Sequence, residues 1–424
     1  MLQLFDAWVG IIFFFHLVAV GGLAAWLTPE AQVITIFVAN ASLMIMNVGI
    51  SSCLSLLYVL ILFRNTKVPI MAYWWITTVI IIISTYVLFV TCEYIQGVLS
   101  LTLAFAFVYF SFFCKKHIPL ARLIMISSNK FLKKHPMIIC IVMVSLFVIL
   151  AYLFLVGLML DQLVGKYTTA TCKATPLDFC SKLEFQVIWF FLVFSVAWVT
   201  KLIIIIIGMT VTGVFAADYF KRPSSILKSL GCALTLHFGS ACLGSFTGVI
   251  PDILELALVI IYCLVSLYSG WLANIIKTTL DFFLKMINRF PYCYCVINKV
   301  SYGDATEATW IMLRDRGVDA IANEAMVESV LAVGVIMISL MSCIRVHNLL
   351  NYSQSQGFAQ YIRQLIDTSI IYSLIANFVV LFPVQISSTC MFVLLAQDPR
   401  ALAISDPLLY AEICKAYPGV TTPV

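Results

Sequence analysis

"WVTKLIIIIIGMTVTGVFAADYF", residues 198–220, decides how the chain is read. Sixteen residues separate Lys201 from Asp218, and none of them is charged. Upstream the apolar run extends to residue 185, with Lys201 its one charged residue. A helix that crosses the hydrocarbon core of a bilayer needs about 20 predominantly apolar residues. The run therefore reads as a membrane span, and a cation within it needs a physical reason.

Composition agrees over the whole length. The 424 residues are 62% hydrophobic and 11% charged, against about 25% charged for a soluble domain. There is too little polar surface to cover a water-soluble globule. The expected fold is all-α, a polytopic transmembrane bundle, because only helices and closed barrels satisfy their backbone groups in lipid. Ten runs are long and apolar enough: 7–27, 33–63, 69–91, 94–114, 137–160, 185–217, 232–250, 253–272, 326–344 and 367–396. Within 232–272, Pro251-Asp252 either separates two spans or bends one. The segment 273–325 is polar enough to lie at the cytoplasmic interface, partly as surface helices. The N-terminus lacks the basic stretch of a cleaved signal peptide and carries Asp6, so 7–27 reads as a retained first span.

Orientation follows from the basic residues. With the N-terminus inside, 19 of the 25 Lys and Arg fall in inside loops or the tail, 5 fall outside, and Lys201 is left over. Both termini are then expected in the cytoplasm. The net charge of +5 reflects these loops, and no basic patch points to nucleic acid. The same topology places Cys172 and Cys180, in the polar stretch 161–184, on the outer side. There they either pair as a disulfide or stay as two thiols. Asn351, in "NYS", is a candidate glycan acceptor on that side. Cys293 and Cys295 are too few and too close for a structural zinc site. No phosphate-binding loop or metalloprotease motif is present, and neither a metal nor another cofactor is expected.

At "MTVTGVFAADYF" the sequence begins to resemble the choline transporter-like family, which includes the fungal pH-nine-sensitive proteins. Four pieces match in order: residues 198–220; "LHFGSACLGSF", 236–246; "NRFPYCYCVINKVSYGDATEATWIML", 288–313; and "LLAQDPRALAISDPLLYAEI", 394–413. The resemblance is strongest over about residues 185–410. It implies transport of choline or a related cation such as ethanolamine, at the plasma membrane or an organelle membrane. With no ATP-binding motif in the sequence, that transport is expected to be facilitated or proton-coupled, and no enzymatic activity is expected. This sequence departs from the family pattern at Lys201, where many members carry an acidic residue. It also departs at Ile207 and Gly208, which replace glutamines, and at Pro291, which replaces alanine.

A quaternary ammonium is held by aromatic faces, each worth about 0.5–2 kcal/mol. Trp198, well inside its run, and Trp74, about five residues inside a span, are candidates, although interfacial tryptophans also form belts. Thr210 and Thr212, between Gly208 and Gly213, either face a solute or satisfy freed backbone groups. Asn377 and Gln385 are eight residues apart, share a helical face, and are candidate path-lining residues. Asn40 and Asn47, seven apart, line a cavity or bridge helices.

Lys201 has two possible settings. With the membrane boundary at Asp218–Lys221 it lies 17–20 residues away, or about 26–30 Å, near the outer face, where its stem can snorkel. With 185–217 as a single tilted span it sits near the middle and needs a carboxylate, carbonyls or a water-filled cavity. The first setting is the expectation. In either, its charge repels a nearby cation. A lipid scramblase or structural membrane protein is the alternative function. An intramembrane headgroup enzyme is a weaker one, since only five histidines are scattered along the chain.

Overall fold

The computed structural model describes residues 6–27, 31–64, 118–168, 183–249, 289–316 and 359–416, with isolated positions at 79, 86 and between 327 and 339. Spans expected at 69–91, 94–114 and 253–272 fall essentially outside the described residues, as do Trp74, Cys172, Cys180 and Asn351. Twelve helices are traced: α1 (Ala7–Trp26), α2 (Ala31–Arg64), α3 (Ile118–Lys134), α4 (Met137–Thr168), α5 (Leu183–Tyr219), α6 (Ile226–Thr235), α7 (Phe238–Val249), α8 (Phe290–Asn298), α9 (Tyr302–Arg316), α10 (Ala359–Gln397), α11 (Pro399–Ser405) and α12 (Pro407–Ala416). A further helical stretch lies at Val330–Ser339. The described residues contain no strand.

Four of these helices, α1, α4, α5 and α10, are long and apolar enough to cross a membrane. The protein is an all-α, multi-pass membrane bundle. The run at 232–250 is not one straight helix. α6 and α7 meet at 69°, as a broken span or a re-entrant loop. The break falls at Leu236 and His237, whose N–H groups both turn back to the Cys232 carbonyl.

The helices take different positions in the bundle. In α1 only 22% of the apolar window is buried, and Trp8, Phe14 and Phe15 face outward. That is the surface of a peripheral, lipid-facing helix. In α10 the figure is 94%, so α10 is the central helix. α2, α3, α4, α5 and α8 all pack against it.

The core between them is largely apolar, but polar ties cross it. Asn47 Nδ2 donates to Ser373 Oγ at 3.0 Å. Asn377 accepts from Ser55 Oγ at 2.7 Å and donates to Ser339 Oγ at 2.8 Å. Interhelical hydrogen bonds of this kind hold helices together where lipid supplies no hydrophobic drive.

The segment expected at the interface is partly internal. α8 buries Phe290, Pro291, Tyr292, Cys293 and Cys295 because its nine residues are mostly apolar, and it packs against α5. Tyr292 and Tyr302 stack at 5.3 Å over Gly244 of α7. Asp6 fastens the start of α1 to this layer by accepting from Ser240 Oγ at 2.7 Å and the Tyr302 N–H at 3.1 Å.

Candidate functional site

α5 is one uninterrupted helix of 37 residues, about 55 Å long. A hydrocarbon core of about 30 Å is shorter, so the helix tilts or protrudes. Lys201 lies 18 residues from each end. Lys201 thus stands at the middle of one continuous helix. Its side chain lines a cavity of about 360 Å³ between α5, α7, α8 and α10. Gly248 makes room for it: a Cβ built there would lie 2.6 Å from Lys201 Nζ.

One wall of the cavity is aliphatic, with Ile204 and Ile205 of α5. The other presents aromatic rings, Tyr292 from α8 and Phe378 and Phe382 from α10. Phe378 and Phe382 lie four residues apart on one stripe, with ring centroids at 5.8 Å. Gly208 lets Phe382 close on α5, since a Cβ would sit 3.1 Å from its Cε1. Arg289 stands at the margin and donates from Nη2 to Glu328 Oε1 at 2.8 Å. The volume and the mostly apolar wall with a few polar groups suit a small organic solute. Among the described residues no group of three or more His, Cys, Asp and Glu side chains could hold a metal.

The other candidate residues lie elsewhere. Trp198 is 2% exposed and is not among the residues lining the cavity. It packs with Phe13, His16, Phe194 and Phe246, whose ring centroids lie 4.9–5.7 Å away. Its Nε1 donates to Ser245 Oγ at 3.1 Å. His16 Nε2 meets Ser195 Oγ at 2.8 Å, and Tyr152 shares that hydroxyl. This is a packing cluster joining α1, α4, α5 and α7. Trp198→Phe keeps one aromatic ring but removes the rest of the indole and one hydrogen bond, leaving a small cavity. It is expected to cost about 1–3 kcal/mol of stability in a thermal melt, with solute transport retained.

Thr210 donates to the Ile206 carbonyl of its own helix at 2.7 Å, and Thr212 meets Cys293 Sγ at 3.4 Å. Both are buried between helices. Gln385 is buried as well, and its carbonyl accepts from Thr389 Oγ1 at 3.2 Å. Asn377 belongs to the polar ties described above. Asn377 and Gln385 do share a face, but it is packed. The cavity stripe of α10 is Ile375, Phe378, Phe382 and Ile386, displaced by one residue, or about 100° around the helix. Sequence reading passed over Gly248, Tyr292, Phe378 and Phe382. Gly248, four residues after Gly244, was a usable signal for close approach.

An all-α, multi-pass bundle with a solute-sized cavity beside its central helix has the build of a membrane transporter. Residues 98–400 match the family described as plasma-membrane choline transporter, and the chain belongs to that family. It is similar to Protein PNS1 of Cryptococcus neoformans var. neoformans serotype D, 25% identical over 378 residues covering 81% of this chain and 66% of that protein. Protein PNS1 of Mycosarcoma maydis is 26% identical over 328 residues, 73% of this chain and 61% of the relative. Protein PNS1 of Yarrowia lipolytica is 24% identical over 245 residues, 54% and 43% respectively. The matches thus span less than two thirds of the length of these curated relatives.

Proposed function

We propose that the protein carries choline or a related small organic cation such as ethanolamine across the plasma membrane by alternating access, facilitated or proton-coupled. The cavity between α5, α8 and α10 is the solute chamber. The observation that carries this reading is the set of aromatic side chains, Tyr292, Phe378 and Phe382, lining a cavity on helices within the family match. Choline's nitrogen donates no hydrogen bond, so ring faces are the chemistry that holds it.

A ten-span topology with both termini cytoplasmic belongs to the same proposal. Contacts between distant loops support it. Lys130 and Lys134 meet Asp406 and Asp218, three segments assigned to one side, while Lys166 lies over the Trp26 ring, 3.3 Å from its centroid, on the other.

The test is uptake of labelled choline into proteoliposomes, with and without a pH gradient. Saturable uptake blocked by excess unlabelled choline is expected. Phe378→Ala with Phe382→Ala should weaken apparent affinity about tenfold or more, from two lost cation–π contacts of about 1 kcal/mol each. Absence of uptake by folded protein under both conditions rejects choline as the substrate.

A further inference from the structure

The contact between α5 and α10 continues beyond the cavity. From Gly208 to Asp218 on α5, and from Ile386 to Gln397 on α10, the helices advance ten and eleven residues, about 15 Å. Side chains in this stretch are tightly buried, and many carry hydroxyls. Ser388 Oγ donates to the Val384 carbonyl at 2.9 Å and meets Ser128 Oγ of α3 at 3.0 Å. Ser387 Oγ donates to the Pro383 carbonyl at 2.6 Å. Ser388 thus faces α3, while Thr212 and Cys390, each 0% exposed, meet across the α5–α10 contact itself. Hydroxyls that donate back to their own helix can turn to a passing solute or water without breaking the backbone ladder.

The far end of the seam is closed by contacts from α11 and α12. Lys130 Nζ lies 2.5 Å from Asp406 Oδ2. Lys221 Nζ donates to the Ile404 carbonyl at 2.9 Å, and Tyr219 OH to the Asp398 carbonyl at 2.8 Å. Alongside, Lys134 pairs with Asp218, whose Oδ2 is 3.8 Å from His135 Nε2. Two Asp-Pro steps shape the strap: Asp398 Oδ1 accepts the Arg400 and Ala401 N–H groups, and Asp406 Oδ1 accepts that of Leu409. Burial pushes the Asp406 carboxyl up, but the Lys130 ammonium and the Leu409 N–H outweigh it and hold the carboxyl below its ordinary value. Asp406 is therefore charged at neutral pH. The Lys130 and Lys134 side chains are 73% and 62% exposed, and exposed pairs are individually weak. Such ties hold a closed state without making it permanent. A second cavity of about 180 Å³ already lies beneath them, between Phe131, Phe215, Met391 and Leu402.

Pro383 stands beside the first cavity, next to Phe382, inside the 39-residue helix α10. It has no N–H for the Val379 carbonyl, so the helix has a ready bending point there.

We propose that the seam from Gly208 to Asp218, which runs from the first cavity to the second, is the route by which a small polar solute leaves the cavity, that α11 and α12 latch it shut, and that it opens as α10 bends at Pro383. This rests on the transport reading above.

Cys390 reports directly on the seam. Full-length protein in lipid nanodiscs is treated with a small water-soluble methanethiosulfonate, and each cysteine is read separately by peptide mass spectrometry. Lys130→Glu sets two carboxylates against each other and should raise the Cys390 labelling rate about fivefold or more. Asp406→Asn, which removes attraction without adding repulsion, should give a smaller rise. Lys130→Glu combined with Asp406→Lys should bring the rate only part of the way back to that of the parent, since lysine restores the pair but cannot accept the Leu409 N–H. Unchanged Cys390 labelling in both single variants overturns the latch. So does a parallel rise at Cys242 and Cys295, which are buried in a separate cluster, because that would report general loosening. None of these readouts uses a substrate. Failed choline uptake with the expected labelling rejects the substrate reading alone, whereas normal uptake with unchanged labelling rejects the latch alone.

Discussion

Lys201→Glu is expected to lower the apparent KM for choline by tenfold or more in proteoliposomes, with Lys201→Gln about midway on a logarithmic scale. The side chain lines the aromatic cavity, so its charge acts on any cation held there. At a separation of about 8 Å and an effective dielectric constant of about 20, one unit charge contributes about 2 kcal/mol. Glutamate changes the local charge by two units, and even half the Coulomb value is more than a factor of ten. Gly248 sharpens the test. Its missing Cβ leaves the space that Lys201 Nζ occupies, so Gly248→Ala must move the ammonium. That variant should alter choline KM without changing any charge in the sequence. If uptake is insensitive to all three substitutions, the ammonium does not act on the solute.

The sequence disclosed the coarse architecture because membrane physics writes it in long apolar runs. Residues 7–27, apart from the last, and all of 185–217 each lie on a single described helix, because in lipid every backbone group must be satisfied within the segment. Side-chain direction was less legible. Trp198 has the composition of a cation-binding residue, but Phe13 and His16 from α1 and Phe246 from α7 enclose it, and nothing in residues 185–217 announces those neighbours. Asn377 and Gln385 drew attention because a polar group in a membrane helix needs a partner. Asn377 has its partners in Ser55 and Ser339, far away in sequence. Nothing in the residue types of Phe378 and Phe382 sets that stripe apart from ordinary apolar packing. The break at Leu236 was hidden as well, since hydropathy is continuous across it and only the turn of two N–H groups to one carbonyl produces the 69° bend.

The packing of α7 gives the largest expected effect on stability. Gly244→Val should lower the melting temperature more than any other single glycine substitution at a described position, and should abolish uptake as well. A Cβ at Gly244 overlaps the Tyr292 ring and would lie 2.8 Å from Cε2 of Tyr302. Neither ring has an easy retreat. They stack on each other, Tyr292 OH donates to the Gly244 carbonyl at 3.0 Å, and the Tyr302 N–H is held by Asp6. Overpacking of a filled site costs about 1–3 kcal/mol, and here it adds to the loss of the Tyr292 hydrogen bond, worth about 1 kcal/mol. Tyr292 also lines the cavity, so displacing it should change the chamber as well as the fold. Gly303→Ala is the matched control: it lies one residue from Tyr302, and a Cβ there meets nothing within 4 Å. It should leave the melting temperature unchanged or slightly raised. A melting temperature for Gly244→Val within a degree of the parent would mean that α7 does not bear on Tyr292 and Tyr302 as placed, and the floor of the cavity would have to be rebuilt without them.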